Sequence, residues 1–118
     1  KDSHAGLVSE QVKHQLISCR SHFPTCSEIA QRLNVSESTL RRKLAKEGSR
    51  FQLLLDQVRY RLAREYLQQT DLPVAEIAVL LDFDNATNFR RAFKRWSGKT
   101  PKALREGGFI SALAERSF

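Results

Sequence analysis

Residues 75–95 read "AEIAVLLDFDNATNFRRAFKR", and residues 27–46 read "SEIAQRLNVSESTLRRKLAK". With one residue inserted in the later copy, Glu28, Ile29, Ala30, Leu33, Arg41 and Arg42 align with Glu76, Ile77, Ala78, Leu81, Arg90 and Arg91. The breaks coincide as well. Asn34 and Asp82 stand where a first short helix must turn, and Asn and Asp are the non-glycine residues that best tolerate left-handed backbone. The repeated unit is therefore a short helix, a tight turn and a second helix, the helix-turn-helix pattern.

On a wheel of ~100° per residue, Leu40 and Leu44 share one face of the earlier second helix, and Phe89, Phe93 and Trp96 share the same face of the later one. These faces are expected to pack inward. Ser38, Arg41, Arg42 and Ala45 point the opposite way, matched by Thr87, Arg90, Arg91 and Lys94. The outward face is poorly balanced in charge: residues 85–105 contain seven Lys or Arg and no Asp or Glu. Arg can hold guanine O6 and N7 together, and Ser, Thr and Asn suit phosphates or base edges. A solvated charged face is the ordinary alternative, but an unbalanced face repeated at equivalent positions favours a groove.

Working outward, prolines occur only at 24, 73 and 101, and no stretch alternates with the period of a strand. A first helix is expected from about Ser9, as N-cap, to Cys19. "TCSE" has the form of a capping box, Thr25 with Glu28, and Ser36 is expected to cap the helix that runs to about Lys46. Gly48 ends this unit. "RFQLLLDQVRYRLAREYLQQ" is the longest helical pattern, with Leu54, Val58, Leu62 and the Tyr66 region on one face and Arg59, Arg61, Arg64 and Glu65 mostly off it. Pro73 is expected to open the next helix. The reading is an all-α chain with two helix-turn-helix subdomains joined by a long linker helix. Its parts are 1–48 (recognition helix about 36–46), a linker helix at 49–70, a second helix-turn-helix with a closing helix at 71–106 (recognition helix about 85–96), and a tail at 107–118.

The linker supplies a length. Twenty helical residues span ~30 Å, close to the ~34 Å between successive major-groove faces on one side of B-DNA. One polypeptide carrying two recognition helices could thus read two consecutive grooves.

Composition agrees. The 118 residues carry a net charge of +7 with a pI near 9.9 and 41% hydrophobic content, enough for a core and suited to an anionic partner. Cys19 and Cys26 read as small buried or half-buried thiols. With His14 and His22 nearby they lack a recognised ligand spacing, so no metal or other cofactor is expected. No Gly-rich phosphate loop or nucleophile-base arrangement stands out, His4, His14 and His22 read as surface or capping residues, and catalysis is not expected. No apolar run reaches a membrane span. The absence of Met and the start at Lys1 lead us to expect a piece of a longer protein.

The doubled motif with its linker, above all "PVAEIAVLLDFDNATNFRRAFKRWSGKTPKALR", resembles the DNA-binding domain of the AraC/XylS family of bacterial transcription regulators over about residues 8–106. The resemblance implies seven helices, with the third and sixth entering successive major grooves. It implies base reading by Ser38, Arg41, Arg42, Ala86, Thr87, Asn88, Arg90 and Arg91. Phosphate contacts are assigned to Ser36, Thr39, Lys43, Asn85, Lys94, Arg95 and Lys102. It further implies a promoter operator as ligand, RNA polymerase as a partner, most often in activation, an effector or dimerisation domain outside this stretch, and a cytoplasmic, nucleoid-associated location. Pro73 departs from the family, standing where a capping Ser is common; so do Arg90, in place of Ser or Thr, and Ala86, in place of an amide. The rival readings are an appendage targeting a DNA-repair enzyme to DNA, and a non-specific basic helical module.

Overall fold

Each half of the chain is organised by where its backbone is forced to turn. The structure, a computed structural model, describes residues 7–19 and 22–107, so His4 and the expected tail from 108 onward lie outside the described residues. Those described form seven helices and no strand: α1 (Val8–Ile17), α2 (Cys26–Arg32), α3 (Glu37–Lys46), α4 (Phe51–Gln69), α5 (Val74–Leu80), α6 (Ala86–Ser97) and α7 (101–107). They fall into two compact units, one ending at Arg59 and the other beginning at Tyr60, with the division inside α4.

In the first unit, α3 packs on α1 and α2. Its core is mainly aliphatic: Val12, Leu16, Ile29, Leu40 and Leu44 are fully buried, and Phe23 is buried with them. The α2–α3 turn is made by Asn34 at φ 63°, and the Val35 N–H reaches back to the Ala30 carbonyl at 3.0 Å. That bond satisfies a carbonyl which the end of α2 would otherwise leave open. The capping box forms on both sides: Glu28 N–H donates to Thr25 Oγ1 at 3.1 Å, and Thr25 N–H donates to Glu28 Oε1 at 2.8 Å. Ser36 Oγ accepts from Thr39 N–H at 3.1 Å and starts α3. Gly48, at φ 76°, ends it. Gly48 N–H donates to the Ala45 carbonyl and Ser49 N–H to that of Leu44, the paired bonds of a Schellman ending.

The start of α1 corrects the sequence reading. Ser9 is not the cap; Leu7 is, and it has no capping side chain. Instead the Glu47 carboxylate, at the end of α3, accepts from the N–H groups of Val8 at 2.8 Å and Ser9 at 2.9 Å. A negative group there also meets the positive end of the helix. Burial pushes the Glu47 carboxyl up, but the bonds from Ser9 and Val8 outweigh it and hold it below the ordinary glutamate range.

The second unit packs α5 on α6 around a more aromatic core. Asp82, at φ 65°, turns the chain as Asn34 does, and Phe83 N–H donates to the Ala78 carbonyl at 3.0 Å, the counterpart of the Val35–Ala30 bond. Phe89 and Phe93 are fully buried, with ring centroids 5.9 Å apart. Trp96, expected inward, is only half-buried, edge-on to Tyr60 and tilted against Phe83. Pro73 is the N-cap of α5 rather than its first helical residue, and offers no side-chain cap. Asn85 caps α6 through Asn88 N–H at 2.8 Å.

Two arginines are more internal than the sequence suggests. The Arg59 side chain is only 14% exposed and lies 3.4 Å from Asp56. Arg105, on α7, donates Nε–H to the Leu67 carbonyl at 3.0 Å and Nη2 to that of Thr70 at 3.1 Å. It closes the end of α4, where carbonyls lack helical partners.

Candidate nucleic-acid interface

Burial of Leu40 and Leu44 fixes the rotation of α3, and burial of Phe89, Ala92 and Phe93 fixes that of α6. What remains outward follows. On α3, Ser38, Arg41, Arg42 and Lys43 are exposed, with Ser36 exposed just before the helix. Thr39 is half-buried, its hydroxyl accepting from Ser36 Oγ at 2.9 Å and Arg42 Nη2 at 3.3 Å. On α6, Thr87, Asn88, Arg90, Arg91, Lys94 and Arg95 are exposed, Ala86 is half-buried, and Asn85 is exposed at the cap. Lys102 is exposed on α7. Within each unit the candidate residues thus gather along one helix and its N-terminus, save Lys102.

The two faces differ electrostatically. α3 and α6 each carry four basic residues; α3 adds one acid, Glu37, and α6 adds none. Arg41 donates Nε–H to Glu37 Oε2 at 3.1 Å and Nη2 to the same oxygen. Among the described residues, Arg90 and Arg91 have no acidic partner. Sequence reasoning missed the Glu37–Arg41 pair, although a Glu four residues before an Arg is its usual signal. Cys26 is buried; burial pushes its thiol up while the Arg41 charge opposes. Of the seven basic residues in 85–105, Arg105 is committed to the end of α4 and is not part of the face.

Among the described residues no three or more His, Cys, Asp or Glu side chains gather as a metal site would require, and no helix is long and apolar enough to cross a membrane.

A pair of helix-turn-helix units, each offering a basic outward helix, defines a nucleic-acid-binding class. Comparison with known proteins narrows it. The helix-turn-helix domain family matches residues 29–107. The chain is 44% identical over 105 residues to the ornithine utilization regulator of Pseudomonas aeruginosa, covering 89% of this chain and 31% of that regulator. The crystal structure of the transcriptional regulator CdpR from Pseudomonas aeruginosa superposes with a TM-score of 0.79 at 33% identity, covering 84% of this chain and 31% of that one. The DNA-binding domain of AdpA, a global transcriptional factor solved in complex with a target DNA, superposes with a TM-score of 0.65 at 27% identity, covering 91% and 93%.

The chain belongs to the AraC-type helix-turn-helix transcriptional regulators, and the part of them it represents is the DNA-binding domain. It spans about a third of the length of the curated relatives it matches.

Proposed function

We propose that the chain reads promoter DNA in the major groove with α3 and α6, both supplied by one polypeptide. Base edges are met by Ser38, Arg41 and Arg42 from α3 and by Ala86, Thr87, Asn88, Arg90 and Arg91 from α6. Ser36, Thr39, Lys43, Asn85, Lys94, Arg95 and Lys102 hold phosphates, which sets register without reading sequence. The observation that carries this reading is the pair of exposed arginines at the same register on two helices whose opposite faces are fully buried. The AdpA domain, of similar fold, was solved on DNA, which supports the ligand. α4 is an unbroken helix of 19 residues, ~28 Å long.

The relatives' greater length supports a further region with effector-binding or dimerising function, and the family supports RNA polymerase as a partner in a bacterial cytoplasm. The chemistry of the domain is binding, not catalysis.

Affinity titrations with Arg42→Ala and Arg91→Ala test the reading. Each is expected to lose ~1–3 kcal/mol on a specific site and to relax preference at one or two base pairs, at different positions for the two variants. Equal losses on every sequence would reassign both arginines to phosphates.

A further inference from the structure

Glu37 is the one acid on either recognition helix, and a carboxylate beside a polyanion needs a reason. Its position is well defined. It is the first residue of α3, directly after the Ser36 cap, where the helix's positive end favours a negative group.

The geometry of its contact with Arg41 is selective. Nε–H and Nη2 of the guanidinium both donate to one oxygen, Glu37 Oε2. Arginine has five N–H donors in a planar fork. The Glu37 contact takes the edge nearest the aliphatic stem and leaves the far edge, Nη1 with the second Nη2 hydrogen, without a carboxylate. That edge has the spacing that matches guanine O6 and N7. The Arg41 side chain remains 61% exposed while so held.

From this we infer that Glu37 is a positioning residue, fixing the Arg41 guanidinium so that its outer edge reads a guanine in the segment of groove taken by α3. The inference rests on the proposed reading of α3 as a groove-entering helix. The second motif provides the contrast: Ala86 stands at the equivalent position, and among the described residues no carboxylate holds Arg90. Holding a flexible side chain in advance removes an ordering penalty on binding, so α3 reads its Arg41 base more stringently than α6 reads its Arg90 base.

An ordinary surface ion pair makes a different forecast. Removing Glu37 would then raise affinity for all DNA alike, by deleting a repulsive charge, and leave base preference untouched. The experiment compares the 118-residue chain with its Glu37→Ala, Glu37→Gln and Arg41→Ala variants on duplexes substituted at each base pair, with helix content checked by circular dichroism. Glu37→Ala is expected to lose about tenfold in discrimination at the same base pair that Arg41→Ala affects, while affinity for unrelated DNA rises. Glu37→Gln, which keeps an amide oxygen at the same reach, is expected to restore part of that discrimination. Intact guanine preference in Glu37→Ala, with uniformly tighter binding, would overturn the positioning role alone. Intact preference in Arg41→Ala would remove the reading on which the role depends.

Discussion

The two helix-turn-helix motifs share a skeleton and diverge in how they are held and what they present. Both turn through a left-handed Asn or Asp, with the same bond back to an alanine carbonyl. The first is fastened by side-chain caps around a mainly aliphatic core; the second opens on an uncapped Pro73 and relies on interlocked aromatic rings. At the surface, the first pairs Arg41 with Glu37, while in the second Arg90 has no acidic partner among the described residues. The difference teaches that backbone geometry and surface chemistry vary separately. A turn fixed by two residues can carry either a buttressed or an unbuttressed arginine.

Several changes would break or sharpen this comparison. The largest effect is expected from two residues inserted in the middle of α4, turning whatever follows by ~200° about the helix axis. Tight binding to a two-part site should fall by at least the contacts of one helix, several at ~1–3 kcal/mol each, as read by anisotropy titration. Survival of that binding would mean α4 does not set the spacing.

Core truncation comes next. Phe93→Ala should cost ~3–5 kcal/mol and Leu44→Ala ~2–5, measured by denaturant unfolding. Loss of its ring contacts with Tyr60, at 5.6 Å, and Phe89, at 5.9 Å, should place it toward the upper end. A smaller loss for Phe93 would undo the contrast drawn between the cores.

How far the sequence revealed this can be judged residue by residue. The caps at Thr25 and Ser36, the turns at Asn34 and Asp82 and the inward Phe89 and Phe93 were legible because local spacing determines them. Glu47 capping α1 from 38 residues away and Arg105 closing α4 were not, because such contacts exist only once the helices meet. Ser9 was expected as the cap of α1 for the same reason. On the interface, the outward arginines were legible from the wheel. The Glu37 pairing was legible in principle through its spacing to Arg41, but on a face dominated by positive charge a single acid stands out little.

Smaller effects follow from the ends of the helices. Gly48→Ala should cost ~1–2 kcal/mol from left-handed strain alone, since nothing lies within 4 Å of an added Cβ. Thr25→Ala should cost ~1 kcal/mol, and Pro73→Ser should recover a similar fraction by giving the second motif the cap it lacks. Glu47 gives a pH dependence. Its carboxyl is held below the ordinary range, so its contribution is present above that range and is lost as pH falls through the lowered folded-state value. Glu47→Gln should flatten that part of the acid limb in thermal melts at successive pH values.

The claim that one chain reads DNA with two helices is tested most directly by selecting bound duplexes from a random library at near-physiological salt. Two short enriched boxes about one helical turn (~10 bp) apart are expected, with the sharper guanine preference in the box lost on Arg41→Ala. A single box, or binding without enrichment, would contradict it and leave at least one arginine pair as a phosphate clamp.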